Sequence, residues 1–191
     1  MRYKEFNPNK VLEQCIDLFS ANGFNGTPVS EIVKASGVNR YSLYHEFGSK
    51  EGIAVGAIDL YLKRYAYPRL DAFKSSKLES ESVSKLIRSF LKPYEHWSLG
   101  CFALTMATEL ADHHKEVAVQ LKTYLTEIES TFRNWLARAN THAQSIKLLA
   151  EQLTGFYSAA MGICTVLPRD QYDNYLRKNL STILNSIEQY A

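Results

Sequence analysis

Residues 23–50 read GFNGTPVSEIVKASGVNRYSLYHEFGSK, two short helical segments around a glycine turn. Thr27 can cap a helix that starts with Pro28, where a missing N–H costs nothing and the fixed φ suits the first turn. Ile32, Val33 and Ala35 give that helix an apolar side, and Gly37 supplies the positive φ of a sharp exit. Val38 plugs the space between the helices, and Asn39 caps the second by offering its side-chain oxygen to a backbone N–H. Leu43 and Phe47 lie four apart on one face, which leaves Arg40, Tyr41, Ser42, Tyr44 and His45 on the others. Two helices joined by a tight turn, the second with polar and aromatic side chains near its N-terminus, suit insertion into a DNA major groove.

On the N-terminal side, Asn7 and Pro8 start a helix whose apolar residues Val11, Leu12, Cys15, Ile16, Leu18 and Phe19 brace the pair. On the C-terminal side, Gly48 turns the chain and Ser49 caps a fourth helix that Pro68 is expected to end. The polar stretch Phe73–Ser84 reads as a loop or a frayed helix start. Beyond it, Val83–Leu91 is amphipathic and closed by Pro93, and Cys101–Ala111 is apolar nearly all round. Three long helices follow, over Val117–Leu136, over Ile146–Cys164, and from about Asp170 to the end. The expected fold is all-α with about nine helices. Residues 1–48 form the reading domain and 49–191 the larger helical one, joined by the helix from 49 to about 66.

Composition excludes more than it identifies. No run approaches the roughly 18 consecutive apolar residues of a membrane span, and residues 1–10 are too polar for a secretory signal, so a soluble cytoplasmic protein is expected. Cys15, Cys101 and Cys164 are far apart with no Cys-x-x-Cys, which points to neither a disulfide framework nor a zinc site. His113 and His114 are adjacent and project to different sides, so no metal or other cofactor is expected. The net charge is only +2, and through Tyr65 eight lysines and arginines face seven acids. Nucleic-acid binding therefore rests on where particular cations sit.

The order of four short motifs is more specific than a generic helix-turn-helix. Gly-Phe-Asn-Gly-Thr at 23–27, Ser-Gly-Val at 36–38, Ser-Leu-Tyr-His-Glu-Phe at 42–47 and Gly-Ser-Lys-Glu-Gly-Ile at 48–53 resemble the DNA-binding domain of the tetracycline-repressor family of bacterial regulators. The resemblance implies that Thr27, Tyr44 and Lys50 hold phosphates of double-stranded operator DNA, while Arg40, Tyr41, Ser42 and His45 read base edges. Tyr41 stands where the family usually has a small residue, and Glu46 where His or Tyr is frequent. The resemblance also implies a homodimer built on the two C-terminal helices, a palindromic operator, and repression as the usual mode.

In that family the larger domain senses a small molecule. The implied lining here is Phe90, Tyr94, Trp97, Cys101, Phe102, Thr105, Met106, Glu109, Tyr124 and Phe156, which suits an apolar or aromatic effector with a polar handle. Gly100-Cys101 resembles a pair that heads this helix in members responding to reactive compounds, so a thiol sensor is the alternative. From another class, an all-α enzyme or a binding protein that does not use DNA is the rival, without a Ser-His-acid set or phosphate-cradling loop to support it.

Overall fold

The computed structural model describes residues 6–91, 101–138, 143–164 and 166–189, and among them every regular element is helical. Helix α1 (Pro8–Asn22) is capped by Asn7, whose Oδ1 accepts from the N–H groups of Asn9 at 3.0 Å and Lys10 at 3.4 Å. Its stripe of Val11, Leu12, Cys15, Ile16 and Phe19 is buried. Gly23 then turns the chain at φ +75°, with its N–H on Phe19 O.

Helix α2 (Val29–Ser36) departs from the sequence expectation at its start. Pro28 itself occupies the cap position, and no side chain caps the helix. The Thr27 hydroxyl donates backwards instead, to Gly23 O at 2.7 Å and Leu18 O at 3.4 Å. A fully buried hydroxyl must find an acceptor, and the carbonyls of Gly23 and Leu18 supply one. The turn behaves as expected, with Gly37 in the left-handed region at φ +67° and Asn39 Oδ1 accepting from Ser42 N at 2.9 Å to start α3 (Arg40–Phe47).

Ser49 caps α4 (Lys50–Tyr61) through Gly52 N at 3.2 Å. Pro68 does not end this helix. A π-helical turn at Leu62–Ala66 leads straight into α5 (Tyr67–Lys74), with Pro68 in its first turn. The wider turn changes the hydrogen-bond register just ahead of the ring, where a regular α-turn would demand the missing N–H and meet a carbonyl. Then come α6 (Ser80–Leu91), α7 (Phe102–Leu110), α8 (Lys115–Leu136), α9 (Ala143–Ile163) and α10 (Arg169–Gln189). Counting the unbroken helical run 50–74 as one helix, nine helices occupy the described residues.

The chain forms two compact units, each drawn from separate stretches of sequence. The first joins residues 1–64 to 102–121. Here α4 lies so close on α1 that a Cβ at Gly56 would sit 3.1 Å from Leu12, and Tyr61 meets Phe102 edge-on at 5.3 Å. Phe19, Phe24, Ile32, Leu43 and Ile53 fill its core. The second joins 65–101 to 122–191, with Phe73 against Phe132 and Trp135 at 5.5 and 5.0 Å, and Phe156 stacked on Tyr175 at 5.5 Å. Arg88 ties α6 to α10 through Asp173 at 3.0 Å.

All three cysteines are free thiols and buried. Burial pushes the Cys15 thiol from 9.0 up to about 12, because its thiolate would lie unsolvated in the apolar stripe of α1. The folded pKa lies above the unfolded one, so this contribution to stability is full below pH 9 and is lost as pH rises toward about 12. Urea midpoints are expected to fall across that window and to fall less in Cys15→Ala. The same slope in both proteins would show that another group governs alkaline unfolding.

Candidate nucleic-acid interface

Helix α3 is held by one deeply placed side chain. Leu43 is fully buried, and Ile32 of α2 is 1% exposed in the same core. The C-terminal end of α2 is tied to α1 by Gln14, whose Nε2 donates to Ala35 O at 3.0 Å. With Leu43 inward and Phe47 half-buried, the other faces of the short helix are turned outward. Arg40, Tyr41, Tyr44, His45 and Glu46 are exposed and Ser42 is half-exposed. Tyr41, at 64% exposure, stacks its ring on His45 one turn later at 6.3 Å. The helix therefore presents a cation, an aromatic pair and a hydroxyl on about two turns, a set able to meet guanine edges, thymine methyls and phosphates.

Next to α3, the α1–α2 loop is gripped from both sides. The Lys50 ammonium donates to Phe24 O at 2.6 Å and lies 4.1 Å above the Phe24 ring. Partial burial lowers its pKa below the usual lysine value, while Glu51 and Glu109 push the other way. From α7, Glu109 accepts from Phe24 N through Oε1 at 3.0 Å and from Asn25 N through Oε2 at 2.9 Å. Glycine at position 23 leaves room for that carboxylate where it stands. A Cβ there would stand 2.6 Å from Glu109 Oε1, and the φ of +75° disfavours any side chain besides. One carboxylate, one ammonium and one glycine thus set the height of the loop between α1 and α2.

Thr27 and Lys50 are consequently turned onto this loop in the structure, whereas Arg40, Tyr41, Tyr44 and His45 lie together on the exposed face. A lysine has three donors, and Phe24 O takes one, so Lys50 keeps capacity for an anion. The resemblance puts Glu109 in the effector lining, whereas in the structure its carboxylate holds the α1–α2 loop. No local signal marks it, because its partners lie 84 and 85 positions away.

The other proposed lining residues fall in both units. Phe102 and Met106 are buried in the first, together with half-exposed Thr105. Cys101, Tyr124 and Phe156 belong to the second. There the Cys101 Sγ lies 3.7 Å from the Tyr124 hydroxyl, which lies 2.8 Å from the Tyr157 hydroxyl. Burial holds the Tyr124 phenol well above its ordinary pKa. The expectations for Phe90, Tyr94 and Trp97 lie outside the described side chains.

Residues 11–56 match the family model described as bacterial regulatory proteins, tetR family. The chain is 27% identical to the helix-turn-helix transcriptional regulator YezE of Bacillus subtilis, over 75% of each protein. It is 26% identical to the transcriptional repressor BdcR of Escherichia coli, over 84% of this chain and 78% of that one. Among solved structures, a cysteine mutant of the TetR-family regulator CifR with a 26-base-pair operator duplex shares the fold at a TM-score of 0.73. That pair is 23% identical, over 94% of this chain and 98% of the other. These relatives are regulators rather than enzymes. Residues 11–56 thus carry a DNA-binding domain of the tetR type, and the chain shares its fold with TetR-family regulators along nearly the whole length.

Proposed function

We propose that this regulator binds a palindromic operator as a homodimer, represses there, and leaves the DNA when a small effector binds. The observation that carries the reading is the exposed face of α3, where Leu43 anchors the helix and Arg40, Tyr41, Tyr44 and His45 are left to the solvent. Arg40 would take a guanine edge bidentately, Tyr41 a thymine methyl, and Ser42 and His45 neighbouring edges. Tyr44 and Lys50 would hold phosphates, with Thr27 supporting the loop behind them. CifR in complex with its operator is the precedent for this docking among proteins of the same fold.

Dimerisation is assigned to α9 and α10. Leu148 in α9 and Val166 in the turn after it are 45% and 78% exposed, apolar surface that a second chain would cover. The effector site is assigned to the neighbourhood of Cys101, Tyr124 and Phe156, where the linked hydroxyls of Tyr124 and Tyr157 would meet a polar handle. Cys101 is only 1% exposed, so a reactive compound would reach its thiol only after local opening, which favours reversible binding over thiol chemistry.

Selection from random duplex DNA at near-physiological salt tests the reading. Enrichment of a palindrome, bound by two chains, is the expected outcome. A folded protein that retains all sequences equally would contradict it.

A further inference from the structure

We propose that the groove between the start of α1 and the end of α2 seats the sugar–phosphate backbone of the bound DNA, with Lys10 and Lys34 pairing with its phosphates. The proposal rests on α3 entering the major groove, and it adds a second contact surface beside that helix. The groove encloses about 420 Å³. Lys10 and Gln14 of α1, Lys34 and Ser36 of α2, and Gly37 and Val38 of the turn line it, so it opens two residues before Arg40 starts α3. With α3 in the major groove, the segment that leads into its N-terminal end borders one of the two strands.

The charge of the groove has one sign. Two lysines line it and no acid does. In the same two helices, Glu13 pairs with Arg64, and Glu31 accepts from Asn22 Nδ2 at 3.4 Å. Lys10 and Lys34 are exposed and form no ion pair among the described residues. The N-terminal ends of α1 and α3 add positive partial charge at its edge. A reading domain with so little net charge needs a few cations placed where the backbone passes, and a concave cationic surface continuous with the face of α3 is such a place.

The polar groups beneath the lysines are already satisfied. Gln14 Nε2 ties α1 to Ala35 O at 3.0 Å, while Ser36 Oγ donates to Ile32 O at 2.6 Å and accepts from Val38 N at 3.2 Å. Val11, 3% exposed, packs below. The walls are therefore fixed, and the two ammoniums are left to meet the ligand. A lysine is a mobile point charge that suits a phosphodiester better than a base edge. Such contacts carry no sequence information and set the register of α3 on the duplex.

Fluorescence anisotropy of the full-length protein on the selected operator and on a random duplex, over a range of salt, tests this with Lys10→Ala, Lys34→Ala and the double variant. Both side chains are exposed, so the variants should keep the wild-type thermal midpoint. Each single variant is expected to lose about fivefold in affinity per half-site at near-physiological salt, on every sequence, and to lower the salt slope by about one per half-site. Arginine at both positions should keep the slope. Methylphosphonates, which neutralise one phosphate at a time, should reveal a position where the wild type loses affinity and the double variant does not. A double variant with unchanged affinity and slope, affinity lost at an unchanged slope, or a loss confined to one sequence would overturn the proposal. Backbone contacts act on any duplex, so failure to select a palindrome would defeat the operator reading alone, whereas a protein that binds no duplex would defeat both.

Discussion

Glu109→Ala is expected to weaken operator binding by about ten- to a hundredfold, by a similar factor on every operator sequence, while the unit built on α5, α6, α9 and α10 keeps its stability. The carboxylate accepts from two successive backbone N–H groups at 3.0 and 2.9 Å and so fixes the loop that leads into α2. Hydrogen bonds to a charged acceptor contribute about 1.5–3 kcal/mol each. Asn25 is exposed and water would replace part of its bond, so about 2 kcal/mol is the reasonable net cost. The loss should appear mainly as a mobile α1–α2 loop and a badly aimed α3. Glu109 sits on no phosphate in this reading, so the salt dependence of binding should keep its slope. Glu109→Gln, which retains an acceptor oxygen, should recover part of the affinity, and Gly23→Ala should imitate the alanine variant because its Cβ displaces the carboxylate. Fluorescence anisotropy on a labelled duplex at several salt concentrations measures all of this. Tighter binding in Glu109→Ala would mean that removing a negative charge near DNA outweighs the lost clamp, and the positioning role would be abandoned.

The second large effect separates base reading from phosphate holding. Arg40→Ala should cost about 1–3 kcal/mol on the preferred site and little on unrelated DNA, because a bidentate guanine contact is lost only where the guanine is. Lys50→Ala should weaken binding to all sequences and lower the salt slope by about one counterion, because the ammonium retains donors beyond the one used on Phe24 O. Competition titrations with specific and random duplexes distinguish the two. A Lys50→Ala variant with reduced affinity and an unchanged slope would show that Lys50 serves the loop alone.

Local signals in the chain were readable and long-range ones were not. Asn7, Asn39 and Ser49 cap the helices their positions suggest, because a cap needs only a side-chain oxygen and an N–H two or three residues on. Thr27 has the same chemistry, yet a backbone carbonyl four residues back competes for its hydroxyl once the loop folds under it. Pro68 reads as a stop by rules that hold for regular α-turns, and a five-residue π-turn suspends them. The exposed face of α3 follows from the spacing of Leu43 and Phe47. The grip of Glu109 on the α1–α2 loop follows from tertiary packing, and the glycine at 23 is its only trace in sequence.

The most direct measurement is a paired selection, wild type beside Arg40→Ala, from one random duplex pool at one salt concentration. If α3 reads bases, the wild type returns a palindrome, and the variant returns the same palindrome with one guanine position in each half-site gone degenerate. Identical motifs from both proteins, or none from the wild type, would contradict sequence recognition by this helix.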